Sequence, residues 1–299
     1  MSSTSTRVED HYARQDLELA ILNALDQAGI NLDQLKSEDL SAIDQFHIGG
    51  RKATLELARQ LELDETMQVL DIGSGLGGAS RCLAVEFGCQ VTGIDLSDDY
   101  CRVASMVARR LSLDSRVSYR RGNALDMPFE DGLFDVLWTQ HTSMNISDKA
   151  GLYAEMWRVL KPGGILAIYD VLAGEGGPVH FPVPWARESG TSFLISPQQL
   201  RQRLEELGFE ILSWQDNTEK AMSLFQRMSA KITRDGLPPL GIHLLLGEDF
   251  QLMAQNQVRN LEENRIALIE AIVKRPSSPM KAEPIALRVN SFQNNLNGV

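Results

Sequence analysis

The chain is poor in cysteine: Cys82, Cys89 and Cys101 are its only three in 299 residues. They form neither an even disulfide framework nor a Cys-x-x-Cys pair, so no metal or redox centre is expected. Buried structural thiols in a reducing compartment are the simpler reading. No apolar run approaches the ~18–20 residues that span a bilayer. The polar start MSSTSTR is not followed by the apolar core of a secretory signal. A cytoplasmic protein without membrane insertion is expected. Positive charge is also scarce, with 29 Lys+Arg against 40 Asp+Glu and a formal net charge of -11. That balance disfavours nucleic acid, which needs a basic face. No repeat of solenoid or propeller period is visible. With 43% hydrophobic and 23% charged residues, the composition is globular and excludes a disordered or collagen-like chain.

What is present is a change of period. The stretch before residue 67 carries helical stripes: Leu17, Ile21, Leu22 and Leu25 as far as Gly29, a short helix after Ser37, and a third from about Gly50 with Leu55, Leu57 and Leu61. From residue 67 short strand patterns alternate with helices. Strands are expected at Met67–Ile72, Cys89–Asp95, Val117–Arg121, Phe134–Gln140, Gly164–Val171, Phe209–Trp214 and Ile266–Lys274. Ser97 and Ser147 are expected N-caps, and Pro162-Gly163-Gly164 a helix stop. This alternation predicts an α/β fold of βαβ units around a parallel sheet. The expected division is N-terminal lid helices over 1–65, an α/β core over 66–216, a helical lid insertion over 217–264, the last core strand over 265–275 and a tail over 276–299.

The run Val69-Leu70-Asp71-Ile72-Gly73-Ser74-Gly75-Leu76-Gly77-Gly78 reads as strand, tight turn and helix start. It satisfies both G-x-G-x-x-G and G-x-G-x-G. Asp95 ends the next strand, where a carboxylate accepts both hydroxyls of a ribose; capping of the following helix is the plainer alternative. A dinucleotide would set a pyrophosphate over the helix start. Asp71 would repel that anion, but it would attract an ammonium, or else it only ties the loop together.

The ordered set VLDIGSGLGG, TGIDLS, GNALDMPF, FDVLWTQHTSMNI and LKPGG over residues 67–171 resembles the class I S-adenosylmethionine-dependent methyltransferases. The segments HIGGRKAT at 47–54, WTQH at 138–141, MNI at 144–146, and GGP with HFPVPW over 176–185 look like the sarcosine/dimethylglycine N-methyltransferase-like group, near the ubiquinone and menaquinone methyltransferase relatives. The resemblance implies a Rossmann-like seven-stranded, mostly parallel sheet with helices on both faces and a helical lid. It implies that Asp71, Gly73, Ser74, Gly75 and Gly77 cradle the methionyl part of S-adenosylmethionine, with S-adenosylhomocysteine as product. Asp95 would bind the ribose, Leu96 would flank the adenine, Ala124 would belong to the cofactor site, and Gln140 and His141 would line the methionyl arm. Asn123 stands where many members carry Asp; its amide oxygen would accept from the adenine amine.

Methyl transfer from a sulfonium needs alignment, desolvation and a neutral nucleophile. His141 is the first candidate to contact the acceptor, with Asn145 beside it as a catalytic residue. Tyr12, His47, Met144, His180 and Trp185 are candidates for binding the acceptor, with Tyr12, Phe181 and Trp185 as an aromatic wall. Arg51 and Arg187 are candidates to meet a substrate carboxylate. Met222, Met228 and Met253 read as packing. The expected acceptor is a small molecule with an amine nitrogen, sarcosine-like. The alternatives are methylation of carbon or oxygen on a quinone-like or phenolic molecule, a nicotinamide oxidoreductase, and a cofactor-binding protein without chemistry. Oligomeric state is left open, a homodimer included.

Overall fold

Strands form where the apolar, β-branched runs lie. The computed structural model describes residues 17–277; Tyr12 and the end of the tail lie outside them. Seven strands, β1 (Gln68–Ile72), β2 (Gln90–Asp95), β3 (Val117–Arg121), β4 (Phe134–Gln140), β5 (Leu160–Ala173), β6 (Glu210–Asp216) and β7 (Ile266–Lys274), make one sheet. Their order is β3-β2-β1-β4-β5-β7-β6. The first five run parallel, and β7 is antiparallel to both β5 and β6. The expected fold class is therefore the observed one. β5 starts four residues before its expected Gly164: Leu160 already pairs with Phe134, and the irregularity before Val136↔Ile165 absorbs the Lys-Pro-Gly-Gly sequence.

The helices longer than four residues are α1 (Leu17–Gln27), α2 (Gly50–Ala58), α3 (Gly78–Phe87), α4 (Asp98–Arg110), α5 (Lys149–Val159), α6 (Pro197–Glu206), α7 (Thr218–Asp235) and α8 (Phe250–Glu262) among the described residues. Ser97 caps α4 by accepting from the Tyr100 N–H. At α5 the cap is Asp148, which accepts from Gly151, and not the expected Ser147. Ser196 and Gln199 form a reciprocal capping box on α6. Buried Val69, Val136, Trp138 and Ala167 face one side of the sheet with Leu57 and Leu83, while Leu70, Leu137, Leu166 and Ile168 face the other with Leu152, Met156 and Leu200. A third cluster joins Leu17, Ile21, Leu25, Leu40 and Ile43 to Val103 and Val107. It fixes the N-terminal helices over the end of the sheet at which the parallel strands finish, where open α/β sheets bind ligands. None of the described helices is long and apolar enough to cross a membrane.

Candidate active site

After β1 the chain turns through Gly73, Gly75 and Gly77, with φ of +75°, +53° and +79°. This is the G-x-G-x-G alternative. At Gly73 a side chain is excluded twice over: its φ is left-handed, and an added Cβ would lie 2.2 Å from Oγ1 of Thr142. Gly78 instead begins α3, pressed so close to the N-terminal segment that a Cβ would lie 2.3 Å from the Asp44 carbonyl oxygen. Asp95 holds the loop from the next strand. Its Oδ2 accepts from Gly75 N–H at 2.9 Å and its Oδ1 from Ser97 N–H at 2.9 Å. The helix-turn reading of Asp95 is the one observed; each oxygen also retains a lone pair, which is compatible with the ribose reading. Asp71 accepts from the Ser80 hydroxyl at 2.5 Å. Burial, reinforced by the charge of Asp95, pushes it up to about 6.

A cavity lies over this loop. Of the residues expected around a nucleoside, Asp71, Gly73, Ser74, Gly75, Asp95, Leu96, Asn123, Ala124, Gln140 and His141 line it. Gly77 does not; it is the N-cap of α3, and its carbonyl accepts from Tyr119 at 3.1 Å. The Asn123 oxygen already accepts from Leu125 N–H at 3.0 Å, so the atom expected to read the adenine also shapes its own turn. The residues fit an S-adenosyl group: a carboxylate pair, an open left-handed turn at Gly75, and two buried oxygens without a partner, Ser74 Oγ and Asp44 Oδ1.

A second cavity, of about 830 Å³, adjoins the first and shares Phe46, His47 and His141 with it. His141 follows β4 in a left-handed conformation at φ +54°, its backbone N–H bonded to the Tyr169 carbonyl at 2.8 Å. Neither ring nitrogen has a partner. Its ring centroid lies 6.0 Å from that of His47 and 5.3 Å from that of Tyr169. His47 Nε2 is within 3.1 Å of the Gly50 carbonyl and 3.0 Å of Thr54 Oγ1. Burial lowers His47 to about 4 and lowers His141 as well, so both rings are neutral at pH 7. Gln140 is held from two sides, by Trp138 Nε1 at 2.9 Å and the Thr54 hydroxyl at 3.1 Å.

Met144 and Trp185, candidates for binding the acceptor, line the second cavity. Several other candidates do not serve as expected. His180 lines neither cavity: it meets Glu263 at 2.9 Å, and its backbone is held by both ends of the Asn260 amide, which fastens its loop to α8. Asn145 lines the first cavity, but its Nδ2 donates to the Trp185 and Thr191 carbonyls at 2.7 and 2.8 Å. It is a tether between two loops. Phe181 lines neither cavity; it packs against the core cluster that includes Trp185. Arg51 turns outward to Glu86 and Glu38, and Arg187 pairs with Asp249. Met228, read as packing, lines the second cavity.

Two features escaped the sequence. Asp44 and Arg81 form a fully buried ion pair at 2.6 Å, joining the N-terminal segment to the start of α3. Lys149, 4% exposed, donates to the Ser143 and Ile146 carbonyls, while Asp170 accepts from Ser143 N–H at 3.1 Å. Together they support the turn that follows His141. Both features pair residues far apart or on different elements, and no local spacing announces them.

The fold is the Rossmann-like fold of the class I methyltransferases. Residues 70–168 match the model of a methyltransferase domain, and this stretch of the chain is such a domain, of the S-adenosylmethionine-dependent kind. Among curated relatives, the sterol 24-C-methyltransferase of Eremothecium gossypii is 33% identical over 157 residues, 50% of this chain and 42% of that protein. The sarcosine/dimethylglycine N-methyltransferase of Halorhodospira halochloris is 29% identical over 178 residues, 60% of this chain and 63% of that protein. The chain thus spans well under two thirds of the sterol relative's length. The structure of Haemonchus contortus phosphoethanolamine N-methyltransferase 2 superposes with a TM-score of 0.72 at 22% identity, covering 92% of this chain and 61% of that one. That likeness concerns the fold.

Proposed function

We propose that the protein is an S-adenosylmethionine-dependent methyltransferase whose acceptor is a bulky, largely apolar small molecule methylated on carbon or oxygen. The observation that carries this reading is the second cavity. Its walls include Ile48, Met144, Pro184, Trp185, Leu246 and Phe250. The stripe Leu224, Phe225, Met228 and Ile232 recurs at helical spacing on α7 and faces this space. An amphipathic helix directs its apolar face to a core; here that face meets a void the size of a small-molecule site. A sarcosine-like acceptor would bring a carboxylate, which calls for a free cation. Arg51 and Arg187 are engaged elsewhere, and the arginine on the cavity wall, Arg259, pairs with Glu263 at 2.7 Å. The sterol methyltransferase relative is named for an apolar acceptor, in keeping with this reading.

When bound, the cofactor supplies a methyl group already activated on a sulfonium. Asp71, Ser74 and Asp95 hold its polar ends, and the shared wall of Phe46, His47 and His141 brings the acceptor to it. Methylated carbon or hydroxyl oxygen sheds a proton, and the unpartnered neutral ring of His141 is placed to take it. The test is a calorimetric titration with S-adenosylhomocysteine, followed by a panel of acceptors with methyl-labelled cofactor. Label in apolar alkenes, phenols or alcohols supports the proposal. Label only in glycine, sarcosine or dimethylglycine would replace it with the amine reading.

A further inference from the structure

The inner stripe of α8 consists of Met253, Gln257, Asn260 and Leu261, all buried. Asn260 has an evident purpose, since its amide bonds the His180 backbone at 2.8 and 3.0 Å. Asn256, one position outside the stripe, donates to the Pro182 carbonyl at 2.9 Å. Gln257 is different. It is 2% exposed, it lines the large cavity, and its Oε1 meets no donor. Helical spacing alone would be served by a leucine or methionine here. An amide withdrawn from water without a partner costs stability, and such groups in native proteins call for an explanation.

We propose that Gln257 is an acceptor-binding residue whose amide receives a hydroxyl carried by the apolar acceptor at a point remote from the methylated atom. The proposal rests on the apolar-acceptor reading and narrows it. The cavity has an orphan polar group on each of two walls, the His141 ring after β4 and the Gln257 amide on α8, with apolar side chains such as Met144 and Trp185 also lining it. A molecule whose apolar body carries a hydroxyl besides its reactive atom satisfies the amide with that hydroxyl while its reactive carbon or oxygen lies at His141. Apolar contact holds such a body without choosing its orientation. One directional hydrogen bond chooses it, and so fixes which atom faces the methyl donor.

The experiment compares 4-hexylphenol with hexylbenzene, the same apolar body with and without a hydroxyl. Each displaces an anilinonaphthalenesulfonate dye from the full chain saturated with S-adenosylhomocysteine. Wild type is expected to prefer the phenol by about tenfold, the worth of one buried hydrogen bond. In Gln257→Met, of similar volume, that preference falls to within about twofold, through weaker phenol binding alone. The free variant melts at or above the wild-type temperature, because a stranded amide has been removed. A preference that persists in the variant, its absence in wild type, or a lower melting temperature would each overturn the anchor. Hexylbenzene binding without discrimination removes the anchor and leaves the apolar-acceptor reading standing. Failure of both compounds to bind wild type removes that reading, and the anchor with it.

Discussion

The two chambers on either side of His47 and His141 are built by opposite means. The first is a sheet-edge site: Asp71–Gly75, Ile94–Ser97, Gly122–Leu125 and Gln140–Thr142 are each short loops leaving a strand. Backbone conformation and a few carboxylates carry its chemistry. The second has no strand edge of its own. It is walled by side chains drawn from residue 41 to residue 262, most of them apolar and many on α7 and α8. A site made of backbone and charge demands particular residues at fixed spacing. A site made of apolar side chains demands only volume, so its identity is spread thinly over the chain.

The contrast can be broken at the segment that separates the two chambers. Asp44→Ala strands the Arg81 guanidinium, which is 0% exposed, and should cost about 3–5 kcal/mol of unfolding free energy in urea. Replacing both partners with apolar residues of similar volume should restore much of that loss. Asp95→Ala removes the anchor of the glycine loop together with the carboxylate expected to accept a ribose. It should weaken S-adenosylhomocysteine about 100-fold by calorimetry, the worth of two hydrogen bonds to a charged group, while dye binding in the second chamber persists.

A proton should separate the chambers more finely. Asp71 is raised to about 6 in the free protein by burial and by Asp95. The ammonium of a bound cofactor favours its charged form, so its value falls on binding. Affinity for S-adenosylhomocysteine should therefore be flat above pH 6 and drop by about tenfold per unit below it. Asp71→Asn should abolish that slope. The smallest effect is expected from Phe225→Ala on α7. It should raise the acceptor KM by roughly threefold to tenfold and leave cofactor affinity unchanged. A matching loss of cofactor affinity would show that α7 does not belong to the second chamber alone.

The sheet was legible because its strands are short β-branched runs between glycine and proline, and β3, β4 and β7 lie where the pattern puts them. The glycine loop was legible because positive φ at Gly73 and Gly75 restricts the residue type that can stand there. Asn145 and His180 were misread because a polar residue near a site looks the same in sequence whether it faces a ligand or a carbonyl. The turn after His141 rests on Lys149 and Asp170, and the N-terminal segment on Asp44 and Arg81. These are tertiary pairs without a period. The stripe on α7 was readable as one face of a helix, but nothing in it tells a core from a cavity.

The segment from Ser41 to Gly50 is a party wall. Ile43 and Asp44 face the cofactor chamber, Gln45 and Ile48 face the other, and Phe46 and His47 face both. Asp44 fastens this wall to the helix that follows the glycine loop. With the acceptor in the second chamber, as proposed, a cofactor that shifts the wall changes the acceptor's affinity. Linkage makes the effect mutual, so each ligand changes the other's affinity by the same factor. A pocket that asks little of its acceptor beyond volume can in this way admit it preferentially once the methyl donor is in place.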